Sequence, residues 1–269
     1  FYDTATAVNR HFFQKPATPR PRIIMFYKCR DVRFQEASFV DSPCWTFWLM
    51  KCERVKIQRV TVRGDQRMIN NDGIDQDMCR DVTVSDSIFK TGDDCLILRS
   101  MRHMYDEPGV CENITISNCV LDSWCQGIRV GCPGDGEIRN CTFSNLTITG
   151  AGNGISFENP KRYLPPDGRG YANIHDILFS NVVITCDKIP IRITVDEGIA
   201  LPRVAGLTFS HFRIRSGKPC VVQGSPETIV EDVCFNDVHI ETVGDEAVVC
   251  QHSRNVRLNN VVLTRPAGS

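Results

Sequence analysis

The stretches ITISNCVL at 114–121, CTFSNLTI at 141–148 and ILFSNVVI at 177–184 are copies of one pattern: apolar and polar residues alternate, a polar pair interrupts, and apolar residues resume. Six more copies extend it in both directions: VRFQEASFV from Val32, VKIQRVTV from Val55, VTVSDSIF from Val82, LTFSHFRI from Leu207, VCFNDVHI from Val233 and VRLNNVVL from Val256. Alternation of period two is that of a β-strand. Successive copies begin 23, 27, 32, 27, 36, 30, 26 and 23 residues apart, the spacing of a stacked repeat. An eight-residue strand cannot cover its own apolar face, and no 3.6-residue period between copies supplies a helix to do so. The copies must therefore cover one another. Parallel strands stacked about 4.8 Å apart bury a continuous apolar column and pair their backbones on both sides. The pattern predicts an all-β chain, a parallel β-helix of about nine to ten coils forming one domain over 1–269, with an irregular segment at 1–20. Neither the helix of an ankyrin repeat nor the ladder of a leucine-rich repeat is visible.

Composition narrows the function. Of 269 residues, 42% are apolar and 23% charged, which excludes disordered and fibrous classes. There is no apolar run long enough to span a membrane, and Lys+Arg 31 against Asp+Glu 32 leaves a net charge of −1 without a basic run. A soluble monomer with neither nucleic acid nor membrane as partner is expected. The chain starts at Phe1 with no charged-then-apolar leader, which suggests a processed or truncated product. Fourteen cysteines include no CxxC pair and no Cys/His cluster at zinc spacing. Cys29, Cys52, Cys79 and Cys111 each stand three residues before an anchoring Val or Ile, so stacking makes them an interior ladder of thiols, with a disulfide among the fourteen as the alternative. Three N-x-T triplets, at Asn113, Asn140 and Asn145, overlap the repeat's own polar pair and strand, and chance explains them better than glycosylation.

A second motif recurs between the copies: DGID from Asp72, DCLIL from Asp94, QGIRV from Gln126 and NGISF from Asn153, then more loosely PIRIT from Pro190 and EAVVC from Glu246. Aligned positions on adjacent coils become neighbours. Asp72, Asp94, Gln126 and Asn153 form one column, with Asn71, Asp93, Cys125 and Gly152 in the column before it. Alternation turns Ile74, Leu96, Ile128 and Ile155 inward, then Leu98, Val130 and Phe157, and leaves Arg129, Ser156 and Arg192 pointing out. Asp72, Asp93 and Asp94 thus crowd like charges within roughly 5 to 8 Å on adjacent coils. A single Asp-Gly is most simply a turn, or part of a calcium site. Three carboxylates side by side are not explained so easily, because one of them must take up a proton or a cation.

NNDGID at 70–75 and TGDDC at 91–95, with Asp93 21 positions after Asp72, resemble the two central signatures of family 28 glycoside hydrolases, the polygalacturonase and rhamnogalacturonan hydrolase group. RPRIIMFYKCRDV at 20–32 and SPCWTFWLMKC at 42–52 are similar to the family's upstream strands, and the repeat carries the resemblance to about residue 264. Family members usually have more sequence before the upstream strands, including an N-terminal cap over the first coil, so an incomplete chain or an unusual member is the expectation. The resemblance implies a right-handed β-helix that hydrolyses α-linked pectic sugars with inversion, needs no cofactor or metal, and is secreted or periplasmic. By carry-over Asp93 is the general acid, while Asp72 and Asp94 hold and deprotonate the attacking water. The physics of inversion agrees: one carboxyl must be protonated and another ionised across the sugar, and mutual repulsion is a means of keeping a proton near neutral pH.

Two other signatures are altered. A Gly-His-Gly is expected at Cys125-Gln126-Gly127, and the Arg-Ile-Lys of polygalacturonases falls on Ser156-Phe157-Glu158; a Tyr expected near Ile189 is also absent. An exposed Glu158 would repel a uronate by about 1 kcal/mol or more. The rhamnogalacturonan hydrolase branch similarly lacks that histidine, so the expectation is a rhamnogalacturonan-like or substituted galacturonan substrate rather than plain polygalacturonan. Substrate contacts are expected from Asn70, Gln126, Arg129, Glu158, and from Lys161 and Arg162 in the loop ENPKRYLPPDGRGY, with an ordinary solvated loop as the alternative for the last two. His103, in the insertion SMRHMYDEPG, is a candidate substitute for the lost histidine, although a surface-loop histidine more often has no role. His11, His175, His211, His239 and His252 read as structural. Trp45 and Trp48 read as core residues more readily than as sugar platforms, with Trp124 a further platform candidate. Two other classes are weaker: a non-catalytic carbohydrate-binding or structural β-helix, which gains nothing from crowding Asp72, Asp93 and Asp94, and a polysaccharide lyase, whose constellation does not lie on the carboxylate columns. The lyase would need a uronate-neutralising cation and an Arg, Lys or His base on the carboxylate columns.

Overall fold

The computed structural model describes residues 19–105, 107–150 and 152–266. His11 and most of the segment 1–20 lie outside the described residues. The chain winds as a right-handed parallel β-helix. One sheet stacks nine strands, Ile24–Tyr27, Phe47–Met50, Ile74–Asp77, Leu96–Arg99, Gln126–Val130, Asn153–Asn159, Ile191–Val195, Cys220–Gln223 and Val248–Gln251. The other sheet holds the repeat copies, in the register their alignment demands. Val55 pairs with Val82, Val82 with Ile114, Ile114 with Cys141, Cys141 with Ile177, Ile177 with Leu207, Leu207 with Val233, and Val233 with Val256. Among the described residues no helix is long and apolar enough to cross a membrane.

The polar pair has a backbone reason. Its second residue adopts the left-handed conformation, with φ of 53° at Asp86, 55° at Asn118, 54° at Asn145 and 56° at Asn181, and a second left-handed residue precedes it at Asp81, Asn113, Asn140 and Asp176. Each bends the chain without breaking the ladder. Asn and Asp tolerate this region because their short polar side chains bond locally. They also bond along the stack: Asn118 Nδ2 donates to Asp86 Oδ1 at 3.0 Å, Asn145 to Asn118 at 3.1 Å and Asn181 to Asn145 at 3.2 Å. Asn113 likewise donates to Asp81 at 2.9 Å, so two of the three N-x-T asparagines serve the fold.

Inside, Phe143, Phe179, Phe209 and Phe235 form a fully buried column with successive ring centroids 4.4, 5.2 and 5.2 Å apart. Each such ring contributes about 1.5–3 kcal/mol of burial. Ile74, Leu96, Ile128, Ile155, Leu98, Val130 and Phe157 all point into this core. Cys52, Cys79 and Cys111 are buried in a thiol ladder, Cys29 is half-buried at its end, and all fourteen cysteines are free. Burial holds the Cys79 and Cys111 thiols well above their ordinary range, so they behave as small apolar residues.

The third corner of each coil differs between early and late coils. Early coils turn there on one left-handed residue, Lys28, Lys51 or Met78. Later coils insert longer loops instead, beginning after Arg99, Val130 and Asn159. The loops pack on one another: Met101 bridges Asp135, Gly136 N donates to Ser100 O at 2.7 Å, and Tyr171 N donates to Pro133 O at 2.7 Å. A two-pronged ion pair from Arg99 to the buried Asp135, at 2.7 and 3.0 Å, ties the wall to the sheet. Trp48 is buried, as the sequence reading expects of a core residue, and the half-buried Trp45 packs on it, their ring centroids 5.2 Å apart. They lie outside the main core, on the outer face of the sheet with Met50 and Met101, and the Arg22 guanidinium stacks 4.4 Å from both rings.

Candidate active site

Register lines up the outer face of the first sheet. Trp48, Asp75, Ile97, Arg129, Ser156 and Arg192 occupy one column on successive coils. The column just before it also stacks: Gly73 N donates to Asp94 O, Cys95 N donates to Gln126 O, both at 3.0 Å, and Gln126 pairs with Asn153. Asp72, Asp94, Gln126 and Asn153 are therefore neighbours on four consecutive coils.

The NNDGID and TGDDC segments interlock. Asn71 Oδ1 accepts Gly92 N at 2.7 Å and Asp93 N at 3.1 Å, while its Nδ2 donates to Asp65 O at 3.0 Å. Asp93 Oδ2 accepts Asn70 N at 3.0 Å and Oδ1 accepts Asp94 N at 3.1 Å. The Asn70 side chain lies 3.4 Å from the same Asp93 oxygen and is held by Arg20 at 2.7 Å. Glycine is required twice: a Cβ at Gly73 would collide with the Cys95 carbonyl oxygen, and one at Gly92 with the carbonyls of Gln66 and Met68. The glycines let two carboxylate-bearing turns approach at backbone distance.

Burial then makes the acids unusual. Asp72 is 6% exposed and Asp94 2%. Asp72 is pushed well above the usual carboxylate range, first by burial and then by the charges of Asp93, Asp75 and Asp94. Asp94 is raised to about 7 by burial and by Asp93, against the opposing pull of Arg129, whose Nη1 lies 3.6 Å from Asp94 Oδ2. Asp75, aligned with Arg129 two coils away, is also pushed well up by burial and by Asp94. Asp72 Oδ1, Asp75 Oδ2, Asp94 Oδ1, Gln126 Oε1 and Ser156 Oγ are buried without a hydrogen-bond partner. Each such atom costs about 1–3 kcal/mol, a cost that a polar ligand bound to them would remove.

The other candidates divide. Arg129 sits beside Asp94 and under the Tyr163 ring, 5.0 Å from its centroid; Arg162 stacks on the same ring at 4.8 Å. Glu158 is 6% exposed and ion-paired with Arg192, so it is not the exposed, unneutralised charge that sequence suggests. Lys161 turns toward the 196–198 turn, its backbone N donating to Asp196 at 2.9 Å. His103 lines a separate cavity of about 330 Å³ with Arg102, Gly134, Pro165, Asp167 and Tyr171, away from the carboxylates. His175, between Asp176 at 2.7 Å and Glu137 at 3.1 Å, belongs to the opposite sheet. Sequence reasoning passed over Asp75, Cys125 and Tyr163. Alternation marks Asp75 as outward, in the column of Arg129; nothing in the sequence marks the fold-back of Tyr163.

Comparison with known proteins identifies the framework. The family model for glycosyl hydrolases family 28 matches residues 9–265. The chain belongs to that family. A probable polygalacturonase of Arabidopsis thaliana is 24% identical over 259 residues, 94% of this chain and 50% of that protein. An endo-polygalacturonase of Pectobacterium carotovorum is 24% identical over 208 residues, 76% of this chain and 48% of that protein. The chain thus spans about half the length of these family 28 relatives. The crystal structure of a hyperthermoactive exopolygalacturonase from Thermotoga maritima superposes with a TM-score of 0.73 at 21% identity, covering 91% of this chain and 55% of that one, a likeness of fold.

Proposed function

We propose that this chain is an inverting glycoside hydrolase cleaving α-glycosidic bonds in a pectic or related plant cell-wall polysaccharide, outside the cell or in the periplasm. The observation that carries this reading is the trio Asp72, Asp93 and Asp94 brought together on adjacent coils, with a buried oxygen of Asp72 and one of Asp94 left unpartnered. In this reading Asp93 protonates the leaving oxygen while Asp72 and Asp94 hold and deprotonate water on the opposite side of the sugar. Carboxyls this close titrate as a set. Burial and repulsion keep a proton in the set under mildly acidic conditions, and inversion needs one member protonated while another is ionised.

The substrate follows from the cations. Arg129 is engaged by Asp94 and Arg192 by Glu158, and Asp75 adds a further carboxyl to their column, so no surplus positive charge stands at the positions of the missing Arg-Ile-Lys. Each guanidinium keeps a buried Nε–H without a partner, a donor suited to a hydroxyl. This favours a rhamnogalacturonan-like or substituted galacturonan over plain polygalacturonan. The test is a screen of pectic fractions with the released sugar followed by NMR: the β-anomer should appear first from an α-linked substrate. Asp93→Asn should lower turnover by about 10²–10⁴-fold with sugar binding retained. Undiminished turnover in that variant removes the mechanism, and binding without release from every fraction supports the non-catalytic reading.

A further inference from the structure

Family signatures place a glycine where this chain has Cys125, and the substitution puts sulfur into the carboxylate cluster. One ligand atom from each of Asp93, Asp94 and Cys125 lies within 4.8 Å of the others. Ser123 holds the arrangement: its hydroxyl donates to Asp93 O at 2.8 Å and accepts Cys125 N at 2.9 Å, pinning the cysteine's backbone against the acid on the previous coil. Within the cluster Asp94, 2% exposed, keeps Oδ1 without a hydrogen-bond partner, and the neighbouring Asp72, 6% exposed and close enough to feel the charges of Asp93 and Asp94, keeps its own Oδ1 unpartnered. Asp93 Oδ1 accepts one N–H, from Asp94, and keeps a second lone pair, while Oδ2 accepts both the backbone and the side-chain N–H of Asn70.

We infer that Asp93, Asp94 and Cys125, completed by Asp72 or water, form a binding site for a divalent ion of the zinc class. Sulfur selects the metal: thiolate favours zinc-like ions, whereas calcium and magnesium take oxygen donors only. Bond lengths of about 2.0–2.3 Å put tetrahedral donors about 3.5 Å apart, so closure needs only small side-chain rotations. Binding ionises the Cys125 thiol, and the proton, with any proton shared among the carboxyls, passes to solvent as the metal–sulfur bond forms. With Asp93 and Asp94 bound to the ion, the proposed general acid and one of the two carboxylates that hold the attacking water are withdrawn. The ion is therefore an inhibitor of the proposed hydrolysis, and this consequence alone rests on the hydrolase reading.

Binding is tested without substrate. Zinc chloride titrated calorimetrically into the full chain should bind one equivalent that Cys125→Ser and Cys125→Ala each weaken at least about tenfold, while Cys250→Ser, at an exposed cysteine, leaves it unchanged. Cobalt(II) should show a thiolate charge-transfer band that both Cys125 variants lose, and excess calcium should not displace it. No bound equivalent, equal affinity in both Cys125 variants, or displacement by calcium overturns the site. A chain that binds zinc through Cys125 but releases no sugar from any pectic fraction keeps the metal site and discards the hydrolase.

Discussion

Two polar ladders climb this β-helix, and they are built on opposite principles. On the repeat sheet Asp86, Asn118, Asn145 and Asn181 hand hydrogen bonds from coil to coil at 3.0 to 3.2 Å, exposed to water and partnered along the stack. On the other sheet Asp72, Asp94 and Gln126 stack just as regularly, yet each keeps a buried oxygen without a partner. The same stacking rule yields satisfaction where the column is amide-rich and solvated, and stored cost where it is carboxylate-rich and dry. A ladder of the first kind stabilises a fold; the second kind is retained for what binds to it.

The contrast can be broken most forcefully from inside. Phe179→Ala empties the centre of the aromatic column that both ladders share and should cost about 3–5 kcal/mol in urea unfolding. A loss below about 1 kcal/mol would mean that the coils do not depend on a common core. Asp94→Asn probes the dry ladder directly. Its folded pKa, about 7, is raised from an ordinary 3.8, so the stability this carboxyl contributes is present below the ordinary value and is lost as pH rises through 7. The variant should therefore melt higher than the parent at pH 8, by about 2–4 °C for each kcal/mol relieved, with no advantage at pH 4, while turnover falls. Equal melting differences at both pH values would show that the carboxyl is not strained.

Smaller effects sharpen the comparison. Arg129 pulls the Asp94 pKa down, so Arg129→Gln raises it further and should move the acidic limb of kcat/KM to higher pH. A limb that stays in place separates Arg129 from the ionisation. On the satisfied ladder, Asn145→Ala forces a left-handed backbone, φ 54°, on an ordinary residue and should cost about 1–2 kcal/mol by thermal unfolding, most of it recovered by Asn145→Gly.

Stacking made much of this legible in advance. In a solenoid a residue's neighbour is whatever stands one repeat away, so aligning ITISNCVL with CTFSNLTI already states that Ile114 meets Cys141, and aligning DGID with DCLIL states that Asp72 meets Asp94. The thiol ladder at Cys52, Cys79 and Cys111 was readable for the same reason. Legibility stopped at the loops and the outer face. Trp48 is apolar and strand-borne like Phe47, and alternation alone does not say that the outer face beyond it is roofed by Arg22 and Met101. Glu158 looks exposed until Arg192, one coil on, is seen to neutralise it.

Sequence by itself determined the coil, its register, the inward residues and the meeting of three carboxylates, because each follows from a period that recurs along one axis. Only tertiary structure decided how dry that meeting place is, which cations are already engaged, and that Tyr163 folds back over Arg129. Burial and loop packing are set by segments of unequal length crossing between coils, and no period encodes them.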